Sequence, residues 1–273
     1  LTSPDMAKLF NYDNLEQIKL PNPMSIDKSI IRTSILPSLL NIYEYNKARK
    51  VEDVLIYEIS KTYSKDYIED TKIAMLLKGT YLTNNWQHNC VKIDFYLVKG
   101  IVENILNYLG LKNRYTFIQT EISSLHPGIS AKIILDKEEI GIIGRIHPSI
   151  NKDEIYLAEL SLNKLIKTIK PIKYIPSSRY PEIKKDVSFI IDKSTTCKEL
   201  IDTIKKSGGR LLSDVSVIDV YTDSNIKDNE LSIAFSLTFK DELRTLTDEE
   251  VMNIFNNIIK DVTTKHHAVL RDN

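Results

Sequence analysis

Pro171, Pro176 and Pro181 fall within eleven positions, with Ser177-Ser178 between the last two. Each proline fixes φ and lacks an amide hydrogen, so neither a continuing helix nor an inner strand can pass through the stretch from Lys170 to Lys184. The stretch reads as a linker with its boundary near residue 175. It cuts the 273-residue chain into parts 1–175 and 176–273, each of ordinary domain size. Charge follows the same cut: 37 basic and 37 acidic residues cancel overall, but the first part carries +3 and the second −3. A zero total removes the inference that the chain is a generic nucleic-acid binder. With 42% apolar and 27% charged residues the chain has the composition of a globular protein. No apolar run approaches the ~20 residues of a membrane span, so no membrane is expected as a partner. Cys90 and Cys197 stand apart from any second thiol, which predicts reduced cysteines and a cytoplasmic location.

The first part predicts an α+β domain on an antiparallel or mixed sheet with flanking helices. After a loop broken by Pro21 and Pro23, Thr33 or Ser34 is placed to cap a helix to Ala48. Pro37 suits its first turn, and Ile35, Leu36, Leu39, Leu40 and Tyr43 form its apolar stripe. A second helix runs from Phe95 to Leu109, with Gly110 as its stop. Strands are expected at 54–59, 72–78, 116–121, 131–135, 139–143 and 155–160.

The second part has a sharper pattern. A strand at Val187–Asp192 is followed by the capping box Thr196-x-x-Glu199 and a helix ending at Gly208-Gly209. Strands at 213–221 and 231–239 precede a second box, Thr247-x-x-Glu250, and a helix to His266. A short strand at 268–271 completes the order β-α-β-β-α-β, the ferredoxin-like arrangement, whose sheet has helices on one face only.

Strand periodicity says what the bare face carries. Leu231, Ile233, Phe235, Leu237 and Phe239 form one apolar row, so Ser232, Ala234, Ser236 and Thr238 point the other way. Val187, Phe189 and Ile191 likewise leave Asp186 and Ser188 outside. Ile218 and Val220 are assigned to the core, which leaves Asp219 and Tyr221 on the open side. Small side chains let a flat base approach, Tyr221 can stack on it, and the Asp219 carboxylate can accept from the adjacent N1–H and N2–H of guanine. The same residues also suffice simply to keep a sheet face wet.

Other candidates carry less. His126-Pro127-Gly128 and His147-Pro148 read as structural turns, His266-His267 as a helix C-terminus, and Trp86 as a packing residue. No spacing matches a zinc site, so no metal ligands are assigned. Gly141-x-x-Gly144 lies within Ile-rich strand sequence, which excludes a phosphate-binding loop.

Taken in order, these segments resemble the β subunit of bacterial phenylalanyl-tRNA synthetase, in its C-terminal half, over essentially the whole chain. The resemblance rests on Leu20-Pro-Asn-Pro-Met-Ser-Ile-Asp-Lys-Ser-Ile-Ile-Arg-Thr-Ser-Ile-Leu-Pro-Ser-Leu-Leu40, Asp94-Phe-Tyr-Leu-Val-Lys-Gly-Ile-Val-Glu103, His126-Pro-Gly-Ile-Ser130 and Gly141-Ile-Ile-Gly-Arg-Ile-His-Pro148. In the second part it rests on Tyr180-Pro-x-x-Lys-Lys-Asp186, Ile218-Asp-Val-Tyr221 and Arg244-Thr-Leu-Thr-Asp-Glu-Glu250. Ile218 stands where the family motif has an aromatic, and Glu230-Leu231 precede Ser232 where the family has a basic residue.

The resemblance implies that 1–175 is a class II synthetase-like module without catalysis, packing against the catalytic α subunit. The only arginines between Lys72 and Ile175 are Arg114 and Arg145, and neither has the context that holds ATP phosphates. No catalytic residue and no cofactor are therefore expected in this chain, with ATP and magnesium at the α-subunit site. Residues 176–273 are implied to be a ferredoxin-fold anticodon-binding domain. Asp219, Tyr221, Ser188 and Ser232 would meet the anticodon of tRNA(Phe), and Lys185 a phosphate. The implied activity is phenylalanine–tRNA ligation in an αβ heterotetramer, with the editing and N-terminal RNA-binding-like domains of the family outside this chain. The alternatives are an assembly-only scaffold fragment, or a free-standing ferredoxin-like module that binds RNA or a metabolite.

Overall fold

The computed structural model describes residues 1–12, 14–82, 86, 90–169, 179–222 and 226–271. The chain divides into two compact units, Leu1–Lys173 and Tyr174–Asn273. The expected linker centre, with Pro171, Pro176 and the boundary near 175, lies outside the described residues.

Unit 1 is built on a six-stranded, wholly antiparallel sheet of order β1-β2-β8-β7-β6-β5. The strands are β1 (Val54–Tyr63), β2 (Glu69–Lys78), β5 (Tyr115–Gln119), β6 (Leu125–Leu135), β7 (Glu138–Ile146) and β8 (Tyr156–Ser161). A small hairpin, β3 (Thr80–Leu82) with β4 (Val91–Lys92), stands apart from it. Helix α1 (Pro4–Leu9) opens the unit and α4 (Leu162–Thr168) closes it. Between them, α2 (Leu36–Lys47) and α3 (Phe95–Tyr108) cover opposite faces of the sheet. Alternation along β2 sends Met75 and Leu77 to a core with Val98, Val102 and Leu106 of α3, and Ala74 and Leu76 to a core with Leu36, Leu39 and Tyr43 of α2. A sheet covered on both sides explains why its central strands read as continuous apolar runs: every residue of β8 is buried.

Three expectations change here. His126-Pro127-Gly128 is no turn but part of β6, at an irregularity between the pairs Leu125–Ile146 and Ser130–Gly144. The bulged chain lies so close to β7 that a Cβ on Gly144 would stand 2.6 Å from the Ile129 carbonyl oxygen, which is why glycine is required there. Trp86 is 83% exposed rather than packed. Helix α2 begins at Leu36, later than its predicted cap, because Ser34 is engaged elsewhere.

Unit 2 has the predicted order: β9 (Ile183–Asp192), α5 (Cys197–Gly208), β10 (Leu212–Tyr221), β11 (Glu230–Phe239), α6 (Asp248–His266) and β12 (Val269–Leu270). They form a four-stranded antiparallel sheet of order β10-β11-β9-β12. Both capping boxes are made, with Thr196 and Glu199 opening α5 and Thr247 and Glu250 opening α6. Arg244 pairs with Glu250 at 2.6 Å, and this cation with the cap amide holds the Glu250 carboxyl down to about 2. Phe189, Phe235, Leu237 and Phe239 face Leu200, Ile204, Val251, Ile258 and Val262 of the two helices in one buried core. Among the described residues, no helix of this unit lies on the opposite sheet face.

Candidate functional site

The open face of unit 2 is read from the strand register, since residues opposite one another in an antiparallel pair share a face. Asp219 lies opposite Ala234, Ala234 opposite Ser188, and the Ser188 carbonyl accepts from Arg271 N–H at 2.9 Å. The adjoining row runs Tyr221, Ser232, Ile190, Val269. Two cross-strand rows thus bring Asp219, Tyr221, Ser188 and Ser232 together on one surface. Ser216, Ser236 and Asp186, then Asp214, Thr238 and Lys184, continue the face toward the other end of the sheet.

A β-bulge creates this arrangement. Val217 pairs with Phe235 on the helix side, whereas Asp219 pairs with Ala234 on the open side, so Ile218 is an extra residue. Had all residues of β10 kept regular pairing, with Ile218 in the ladder, the alternation set by Val215 and Val217 would have turned Asp219 and Tyr221 toward the helices. Ile218 was assigned to the core; it is 54% exposed at the bulge of an edge strand. Lys185 also departs from expectation. It pairs with Leu237 and so extends the row that faces the helices, while Lys184 holds the open-face position.

The side chains differ in access. Asp219 is exposed, Tyr221 is 38% exposed, and Ser232 is buried at 3%. Arg271, which the sequence did not single out, crosses the face from the far edge. Its guanidinium carbon sits 4.9 Å from the centroid of the Tyr221 ring, and its Nη1 approaches Ser232 Oγ at 3.5 Å. A cation at this distance is attracted to the ring quadrupole. No local motif announces Arg271; only the pairing of β12 with β9 delivers it to the surface.

In unit 1 the two arginines between Lys72 and residue 175 are engaged with protein groups. Arg114 pairs with Asp136 and donates to the Thr168 carbonyl at 3.0 Å, and Arg145 lies 3.3 Å from Glu154. The outer strand β1 turns Leu55, Tyr57 and Ile59 to the face that α3 covers further along; these side chains are 42%, 71% and 55% exposed. Among the described residues, no three His, Cys, Asp or Glu side chains gather as a metal would require, and no helix is long and apolar enough to cross a membrane.

Comparison with known proteins agrees with both units. The family model described as phenylalanyl tRNA synthetase beta chain CLM domain matches residues 1–162, and that described as ferredoxin-fold anticodon binding domain matches 178–271. The phenylalanine–tRNA ligase beta subunits of Shouchella clausii and Geobacillus kaustophilus are each 37% identical to this chain, and that of Bacillus subtilis 36%. Each alignment covers 99% of this chain but 35% of the relative, so the chain spans about a third of the length of these proteins. With one family model covering more than half of its length and a second covering most of the remainder, the chain belongs to the phenylalanyl-tRNA synthetase β-chain family.

Proposed function

We propose that this chain is a non-catalytic part of phenylalanine–tRNA ligase, from the C-terminal half of its β subunit, in which unit 2 reads the tRNA anticodon and unit 1 docks the catalytic α subunit. The observation that carries the reading is the pair of cross-strand rows on the bare sheet face, with a carboxylate and a half-exposed phenol ring over small residues. Ala234 and Ser188 leave room for a flat base. Tyr221 offers a stacking surface worth ~1–3 kcal/mol. The Asp219 carboxylate can accept two parallel hydrogen bonds, which suits the N1–H and N2–H edge of guanine, and Ser188 supplies a short polar contact beside it, whereas buried Ser232 serves to hold Arg271 on the face. Glu230-Leu231 leave no basic residue ahead of Ser232, and Arg271 supplies a cation on the same face for the RNA backbone.

The engagement of Arg114 and Arg145 with protein groups supports a module that does not hold ATP, so ATP and magnesium belong to the α-subunit site. The exposed stripe Leu55, Tyr57 and Ile59 on a free edge strand supports docking by unit 1, because apolar groups on an outer strand mark an interaction surface. The full enzyme is then a cytoplasmic heterotetramer, in which attachment to the larger complex compensates for the weak RNA contact of a unit with net charge −3.

Charging of tRNA(Phe) by the reconstituted enzyme tests the reading. Asp219→Ala is expected to raise the tRNA KM about tenfold or more, the loss of a hydrogen-bonded charge of ~1.5–3 kcal/mol, with kcat nearly unchanged. A fall in kcat at constant KM would remove the anticodon role and leave an assembly scaffold.

A further inference from the structure

The Glu159 carboxylate on β8 is fully buried beneath the start of α2. Its Oε1 accepts from Ile35 N–H at 2.6 Å and from Ser34 Oγ at 3.0 Å. Its Oε2 accepts from Tyr12 Oη at 2.5 Å and from Lys72 Nζ at 3.3 Å. Lys72, also buried, donates in turn to the Thr33 carbonyl at 3.0 Å. The three residues before α2 are therefore held by a charge pair on the two central strands, β2 and β8. Ser34 had the identity of a cap, but its Oγ accepts only from Leu36 N–H two residues on and spends its proton on Glu159; the first helical residues find their anion in the sheet. A carboxylate at a helix N-terminus meets both the free amides and the positive end of the dipole.

We propose that Glu159 is a positioning residue that caps α2 from the sheet, so that the seating of this helix depends on a Lys72–Glu159 pair that exists only once β2 and β8 have paired. The sheet register places Lys72 opposite Ser161 and Ala74 opposite Glu159, so a slip of β2 against β8 by one residue would separate the charges and release the helix. On one side of this segment lies the buried pair. On the other, Arg32 is held by Glu58 at 2.6 Å and Ser60 at 2.7 Å, which fastens the same segment to β1. Helix α2 and strand β1 are thereby set as one piece. The consequence for subunit docking rests on the function proposed above; the capping itself does not.

Removing one partner alone would strand a buried charge and unfold the module, so the test replaces both. Lys72→Met with Glu159→Leu keeps the volume and removes the cap, whereas Lys72→Met with Glu159→Gln keeps an oxygen acceptor for Ile35 N–H. Region-resolved hydrogen exchange of the full chain is the readout. In the Met/Leu protein, exchange in peptides spanning 33–47 should accelerate at least about fivefold, the factor a lost cap of ~1 kcal/mol produces, while β2 and β8 keep their protection. In the Met/Gln protein α2 should stay within about twofold of the parent. Unchanged protection of α2 in the Met/Leu protein, or an equal loss across α2, β2 and β8 in both proteins, would overturn the proposal. Titration of the Met/Leu protein with the α subunit separates the two claims: faster exchange with unaltered affinity leaves the cap standing and shows that docking does not depend on how α2 is seated.

Discussion

Two side chains of unit 2 decide what the molecule does with charge and with aromatic surface. The Tyr221 ring is touched on the open side by the Arg271 guanidinium, so a base that stacks there displaces or joins that cation. Tyr221→Ala should weaken binding of an anticodon stem-loop about five- to 150-fold, the range of ~1–3 kcal/mol, while Tyr221→Phe, which keeps the ring, should bind as the parent does; equilibrium titration distinguishes them. His266 lies between the helices, where its Nε2 meets Thr203 Oγ1 at 2.8 Å. Burial, and after it the Lys265 cation, hold its imidazole below the ordinary 6.5, with Glu199 acting in the opposite sense. The unfolded chain therefore takes up this proton more readily than the folded one. The contribution is complete above 6.5 and is lost as pH falls through 6.5 toward the lower folded value. Denaturation midpoints measured between pH 7.5 and 5.5 should decline on the acid side, and His266→Gln should flatten that slope.

At the scale of elements, β10 shows where periodicity works and where it fails. Reading Ile218-Asp-Val-Tyr as a plain alternation gave the correct faces for Asp219 and Tyr221, but for an incorrect reason, because it also sent Ile218 inward. The strand as a whole keeps Val215 and Val217 on the helix side, and the extra residue restores the phase. Deleting Ile218 should therefore leave Asp219 opposite Ala234 and Tyr221 opposite Ser232, and stem-loop affinity should be retained within a few-fold. Loss of binding with an intact fold by circular dichroism would show that the local twist of the bulge, not facing alone, presents the pair. The capping boxes and the β-α-β-β-α-β order were legible because they are local signals. The phosphate contact implied for Lys185 carried no facing, and the register sets it in the row that faces the helices; Arg271 was missed because a two-residue strand carries no period. The start of α2 was misjudged because its cap, Glu159, is more than a hundred residues away in sequence.

At the scale of the molecule, the two units are written in different codes. Unit 1 covers both faces of its sheet, so its central strands look alike from the sequence and their order could not be read; the exposed stripe on the outer strand β1 breaks the pattern. That stripe should behave as a contact rather than as core. Tyr57→Asp is expected to shift stability by no more than ~0.5 kcal/mol, yet to weaken co-purification with the α subunit by at least the ~2 kcal/mol of a central interface residue, about thirtyfold. Equal losses of stability and affinity would instead make Tyr57 a fold residue. Unit 2 leaves one face bare, and along β10 every residue from Ser216 to Tyr221 is exposed. Substitutions on that half-strand encounter almost no packing penalty. On the proposed function, the identity of the nucleotide preferred there could drift through single exchanges at position 219 or 221 while the scaffold's melting behaviour stays put, a separation of recognition from foldedness that would give selection an adjustable dial.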